Sequence, residues 1–260
     1  MNQSAVTYSA VDGVATLTLN RPESLNAMNS ELMTGISEAM AQVNDDKSVR
    51  VVVVTGAGRG FCAGADLANT AAADDPDNES MGDVFNPAMR AIHASPVPTV
   101  ARVNGAAAGG GFGLALACDI AIAARSAFFV ATFGPRLGIV PDLGTTWTLP
   151  RSIGRSRALG ISMLGDRIPA QTAESWGLIW KSVPDDELDA EVDRVTARLK
   201  VTSAEAMIRI RQSIDTAPNN DFSEQLDLEM HHQGVLIPKN MREGAAAFME
   251  KREPLFQPRD

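Results

Sequence analysis

Cysteine is scarce in this chain of 260 residues: Cys62 and Cys118 are the two present. They stand in unrelated settings, with no CxxC pair and no secreted-type framework, so a reducing compartment, the cytoplasm, is expected. Histidine is scarce too. Of His93, His231 and His232, the adjacent pair would face different sides of a helix, and no His/Cys/carboxylate spacing suggests a metal site. Basic residues are in deficit: 23 Lys and Arg stand against 32 Asp and Glu, a net charge of −9. That balance argues against a nucleic-acid or anionic-membrane partner, and leaves room for an anionic small ligand held by local basic groups. Long apolar runs are missing. The longest weakly polar stretch, "GAAAGGGFGLALACDIAIAA" at 105–124, is dominated by Ala and Gly and broken by Asp119, so no membrane span is expected. The first residues hold no basic stretch followed by an apolar one, so no signal peptide is expected. There is no internal repeat and no low-complexity tract.

What is present reads as a packed globule. Hydrophobic residues make up 45% and charged residues 21%, enough for one large domain or a domain with an appendage. "VTYSAVDGVATLTLN" alternates around Asp12-Gly13, a hairpin signal. "ELMTGISEAMAQVN" carries helical spacing, with Asn29 or Ser30 as its cap. "VRVVVVTG" is a β-branched run that reads as a buried parallel strand. A glycine-rich turn at 56–60 leads to "FCAGADL", and 69–83 reads as a mobile acidic loop. A helix near 83–94, a strand "PTVARVN", an apolar helix opened by Gly109-Gly110-Gly111 and a strand "DIAIAA" follow. This alternation predicts an α/β fold. From 144 the pattern turns helical, at 144–152, 155–164, 169–176, 185–199, 203–215, 222–236 and 239–251. The spacing divides the chain into a core of 1–199 and a helical region of 200–260.

Several motifs have two readings. "GAGRGF" at 56–61 nearly matches a dinucleotide fingerprint, but Phe61 stands where the third glycine would allow close packing. "GAAAGGGFG" lacks the ending of a phosphate-binding loop, and there is no GxSxG elbow. "FCAGADL" and "NGAAAGGGFGLALACD" put small residues where backbone N–H groups could face a ligand, the second at a helix N-terminus. Two such groups converging on one oxygen make an oxyanion hole; alternatively the glycines serve close helix-on-sheet packing. In "GIVPDLGTTW", Asp142 is either a helix cap, which would lower its pKa, or a catalytic carboxylate raised by Ile139, Val140 and Leu143. Cys62 reads as a small apolar filler, and Trp147, Trp176 and Trp180 as core or interface.

Five segments, "NRPESLNAMN", "GRGFCAGADL", "VNGAAAGGGFGLALACDIAIAARSAFF", "LGIVPDLGTTWTLPR" and "AAAFMEKREPLF", fall in the order and spacing of the crotonase (enoyl-CoA hydratase/isomerase) superfamily, and the chain resembles it over nearly its whole length. The resemblance implies a ββα spiral core and a C-terminal helical trimerisation region, giving a homotrimer or dimer of trimers. It also implies acyl-CoA thioester substrates, with coenzyme A as part of the substrate and no separate cofactor. The oxyanion hole maps to the N–H groups of Ala65 and Gly110, with further substrate contacts at Ala63, Asp66 and Leu67. Phe248 and Lys251 map to residues that reach a neighbouring subunit's nucleotide.

The departures carry equal weight. The two glutamates that handle water in the family's hydratases map to Gly113 and Gly134. Asp142 remains, in a segment that resembles the ring-epoxide isomerases of phenylacetyl-CoA degradation, where the matching aspartate is the acid/base. The expectation is an acyl-CoA isomerase. Its rivals are an enoyl-CoA hydratase, a 4-chlorobenzoyl-CoA-type dehalogenase whose base His93 would match with an offset of about one helical turn, and a non-catalytic thioester-binding protein.

Overall fold

The computed structural model describes residues 4–67, 81–257 and 259. Strands β1 (Val6–Val11) and β2 (Val14–Leu19) pair antiparallel around Asp12-Gly13. Both turn residues have positive φ, 49° and 78°, the turn that matches strand twist. Helix α1 (Ser30–Asp45) starts where the Asn29 side chain accepts the Leu32 N–H at 2.9 Å, and it buries Leu32, Met33, Ile36 and Met40. β3 (Val51–Gly56) is buried along its length and runs parallel to β2, as its unbroken valine run predicts.

From β3 onward one unit recurs: a strand in a large sheet, a short strand in a small sheet, then a helix. The units are β3, β4 (Gly60–Cys62) and α2 (Met81–His93); β5 (Thr99–Val103), β6 (Ala106–Ala108) and α3 (Gly110–Ala117); β7 (Ile120–Ala124), β8 (Phe128–Val130) and, after one π-helical turn at Phe133–Leu137, α4 (Thr145–Leu164). After α4 come β9 (Ile168–Pro169), α5 (Ala170–Ser175) and β10 (Lys181–Val183). The large sheet has the order β1-β2-β3-β5-β7-β10 and the small sheet β4-β6-β8-β9. Apart from β1 and β9, which pair antiparallel, the strands are parallel. This is the expected ββα spiral: three structural repeats that leave no sequence repeat, because three-residue strands carry no periodicity. The 56–60 turn runs into β4 and not into a helix, which removes the dinucleotide reading. Phe112 and Phe129, both fully buried, meet at 5.3 Å between the sheets and α3; truncating either to Ala is a change of about 3–5 kcal/mol.

The later helices are α6 (Leu188–Lys200), α7 (Ala204–Thr216) and α8 (Phe222–Glu250). α4 carries the expected break, at Gly154 with φ 76° and ψ 162°. The two helices expected at 222–236 and 239–251 are instead one of 29 residues that runs through Pro238. A proline removes one intrahelical bond and crowds one carbonyl, yet α8, opened by a capping box of Asp221 and Glu224, continues past it. α8 packs mainly on α7. Arg211 ties α7 to the core by pairing with Asp119 and donating to the carbonyls of His93, Ser95 and Val97. Met207, Ile208, Ile214, Leu226, Leu228 and Leu236 all remain outside the core of the single chain. His231 is exposed and His232 buried against Ser213, on different sides of α8 as expected. Of the acidic loop expected at 69–83, residues 81–83 open α2 and 69–80 lie outside the described residues. Among the described residues no helix is long and apolar enough to cross a membrane.

Candidate active site

Three pieces of chain meet at the N-terminus of α3. The first is the bend after β4. Gly64 has φ 91°, and a Cβ there would lie 2.8 Å from the Ala108 carbonyl oxygen and 3.2 Å from the Gly110 nitrogen. Glycine is needed for both conformation and space, and its absence of side chain puts Ala65 directly after a contact with α3. Ala65 forms a parallel bridge with Met28. Met28 donates to the Gly64 carbonyl at 2.7 Å and accepts from the Asp66 N–H at 2.8 Å, which turns the N–H of Ala65 to the opposite side.

The second piece is α3 itself. Gly110 is its first residue, so its N–H has no intrahelical acceptor. Among the described residues, neither Ala65 N–H nor Gly110 N–H donates to a protein acceptor. Two unused donors at neighbouring positions, one aided by a helix dipole, suit an oxygen that gains negative charge.

The third piece is the turn from Asp142 to Thr145. Leu143 and Gly144 have successive positive φ values, 49° and 79°. For leucine that backbone is an outlier, the kind of local strain that functional turns retain. It drives the Leu143 side chain onto Gly110, where a Cβ would fall 2.7 Å from Leu143 Cδ1 and 2.9 Å from Met28 Sδ. Asp142 does not cap α4: the cap is Gly144, with no side-chain bond, and Asp142 offers its main-chain oxygen to the Thr145 N–H at 2.9 Å. Loss of water around the Asp142 carboxyl pushes its pKa up, opposed by its own N–H. The residue is still exposed in the single chain, so that push is partial. Its apolar neighbour is Leu143. Ile139 and Val140, expected to share that role, are 51% and 78% exposed.

A cleft of about 500 Å³ opens beside the turn, with Asn86, Met89, His93, Leu143, Gly144 and Trp147 in its wall. His93 sits edge-on to Trp147 at 5.5 Å between ring centroids and 3.8 Å from Asp215. Trp147 and Trp180 are exposed and thus outside the core, while Trp176 packs against it. Cys62 is fully buried and its thiol is pushed up to about 12, as befits an inert filler.

The other expected site residues divide. Ala63 donates to the Leu25 carbonyl at 3.0 Å, Asp66 pairs with Arg21 at 2.7 Å, and Leu67 is exposed beside them. Phe248 is 82% exposed near the end of α8, and Lys251 ends that helix, also exposed. Both face solvent in the single chain, on the element packed mainly against α7. Among the described residues no His, Cys, Asp and Glu group is arranged to hold a metal ion.

Residue-level reasoning missed the strap at 21–28. Asn26, fully buried, donates to the carbonyls of Ala57, Gly60 and Phe61 and accepts the Arg21 N–H. The polar Arg and Asn residues of "NRPESLNAMN" were the available signal, but the acceptors of the Asn26 amide lie more than 30 residues away.

Residues 9–259 match the Enoyl-CoA hydratase/isomerase family. The chain is 44% identical over 250 residues to the 1,2-epoxyphenylacetyl-CoA isomerase of Escherichia coli (strain K12), covering 94% of this chain and 95% of that one. It is 38% identical to a probable enoyl-CoA hydratase of Rhodobacter capsulatus, covering 98% and 99%. The crystal structure of an enoyl-CoA hydratase from Polaromonas sp. JS666 superposes with a TM-score of 0.90 at 34% identity, over 97% of this chain and 99% of that one. With its spiral of ββα units and its C-terminal helices, the chain belongs to the enoyl-CoA hydratase/isomerase family of enzymes, the crotonase fold.

Proposed function

We propose that this protein is an acyl-CoA isomerase in which Asp142 is the acid/base and the N–H groups of Ala65 and Gly110 hold the thioester oxygen. The observation that carries the reading is the packing of the Asp142 turn. A Cβ at Gly113 would lie 2.8 Å from the Leu143 carbonyl oxygen and 2.9 Å from the Thr145 hydroxyl, and one at Gly134 would lie 3.0 Å from the Ser162 carbonyl. A side chain at 113 would thus displace the Asp142 turn, and one at 134 would press on the Ser162 carbonyl. One carboxylate suits a proton shuttle, whereas hydration uses two.

In the proposed reaction of a 3-enoyl thioester, Asp142 takes a proton from the α-carbon. The C–H electron pair enters the conjugated enolate, and the charge rests on the oxygen between the two N–H groups. The protonated carboxyl then returns the proton two carbons along, and the double bond has moved. Each oxyanion donor is worth about 10²–10³ in kcat and the acid/base about 10²–10⁴. With a ring epoxide the same groups would assist rearrangement; the isomerase relative from E. coli supports that substrate type.

Further parts of the reading concern assembly. Residues 1–199 form the catalytic core, and 200–260 drive a homotrimer or dimer of trimers, supported by the apolar side chains that α7 and α8 leave exposed. Phe248 and Lys251 then reach a neighbour's coenzyme A, which is part of the substrate. The main chain of Ala63 and Asp66, with Leu67, lines the near end of the same thioester. Two free buried cysteines fit a cytoplasmic setting.

The test is a turnover panel of 3-enoyl-, 2-enoyl- and aryl-CoA esters in deuterated water. Isomerisation with solvent deuterium at the carbon two along in the product, or at the α-carbon of recovered 3-enoyl ester by reversal of the first step, supports the reading. Fast hydration of crotonyl-CoA would replace it with a hydratase, and binding without exchange would replace it with a binding protein.

A further inference from the structure

The N–H of Ala65 belongs to no regular element, so something must aim it. Among the described residues, three main-chain bonds hold residues 63–66 to residues 25–28: Ala63 to Leu25, Met28 to Gly64, and Asp66 to Met28. The donor is therefore only as well placed as the strap. That strap contains two non-glycine residues in the left-handed region, Leu25 at φ 53° and Asn26 at 58°, a backbone that persists where its surroundings over-determine it. Asn26 holds the strap on the β4 side. On the other side stands one guanidinium. Arg21 donates through Nη1 to the Ala27 carbonyl and through Nη2 to Asp66 Oδ2 at 2.7 Å. Ala27 precedes Met28, and Asp66 follows Ala65, so the fork spans the bridged pair. The Arg21 main chain closes the ring by bonding Asn26 in both directions.

We infer that Arg21, through Asp66 and the Ala27 carbonyl, is a positioning residue that fixes the direction of the Ala65 N–H. The inference rests on the oxyanion role proposed above. Both side chains are largely shielded, at 20% and 14% exposure, and the planar fork satisfies two acceptors at once, which a lysine ammonium cannot reproduce with the same geometry. Arg21 acts through Ala65 and touches no reacting atom. Its loss would affect the polarisation of the thioester more than the holding of coenzyme A.

The experiment compares wild type, Arg21→Lys and Asp66→Asn as full-length protein. The first readout is the absorption band of bound 4-(dimethylamino)cinnamoyl-CoA, which moves to the red as its thioester oxygen is hydrogen-bonded more strongly. The second is kcat and KM for a 3-enoyl-CoA, and the third is the melting temperature. In Arg21→Lys the red shift should fall by about half or more and kcat by about 10- to 100-fold, with KM within about threefold. Asp66→Asn should move the same way, and the double variant no further than the worse single. Should Arg21→Lys not fold, Asp66→Asn carries the same readouts. A full red shift and wild-type kcat in folded variants would overturn the inference, whatever their melting temperatures; so would a loss confined to KM. A wild type with no red shift would overturn the oxyanion role itself, and that result is distinct because it needs no variant.

Discussion

Leu143 rests its side chain on Gly110, so close that a Cβ at position 110 would lie 2.7 Å from Leu143 Cδ1. In the proposed mechanism the contact joins two functions in one packing unit. Gly110 offers an unused N–H, and the turn that places Leu143 also carries Asp142. The same turn fills the space in front of Gly113.

That overlap makes the turn and a glutamate at 113 mutually exclusive. Gly113→Glu should displace residues 142–145, lower stability by about 1–3 kcal/mol as overpacking does, and reduce isomerisation at least tenfold without creating crotonyl-CoA hydration. Denaturant melts and both assays check it. A variant that gains hydration and keeps isomerisation would show that the space is not in fact closed.

The raised pKa of Asp142 has a definite sign. A carboxyl whose folded-state pKa lies above its ordinary 3.8 stabilises the fold below that value, and the contribution is lost as pH rises through the raised pKa. The ionised group is thus mildly unfavourable at neutral pH, the more mildly because it is exposed. Melting temperatures of Asp142→Asn minus wild type should grow more positive from pH 4 toward pH 7. The acid limb of kcat/KM should lie above the ordinary aspartate value. A difference that shrinks with pH would contradict the desolvated setting.

In the proposed site Lys251 supplies charge and Asp142 chemistry, so they should separate kinetically. Lys251→Ala should raise KM for coenzyme A esters several-fold and leave kcat nearly unchanged, the pattern of uniform binding. An unchanged KM removes Lys251 from the nucleotide site.

Assembly has a direct measure. Ile214, Met230 and Met241 lie 61–67% exposed on α7 and α8 of the single chain, an apolar face that association would cover. Light scattering at micromolar concentration should give three or six chain masses; one chain mass would contradict it.

How much of this was legible depended on the length scale of each feature. The valine run of β3, the hairpin at Asp12-Gly13 and the Asn29 cap are local signals, and the structure holds all three. β4, β6 and β8 were not legible, since three residues apiece are too few to show a period. Pro238 marked a helix end, yet α8 runs through it. At the site, the glycines and Asp142 stood out by composition. The closure of Gly113 by main chain did not, because it depends on a turn 30 residues further on, and the Arg21–Asp66 fork spans 45 residues.

Asp142→Asn, assayed for isomerisation of a 3-enoyl-CoA with α-proton exchange followed in deuterated water, separates the proton shuttle from substrate binding. Asn preserves the shape of the turn, and the cap of α4 is Gly144, so the fold should hold. The N–H groups of Ala65 and Gly110 are untouched, so acyl-CoA binding should persist. Isomerisation and exchange should both fall by about 10²–10⁴-fold. Rates near those of wild type would leave the site without its base and contradict the mechanism.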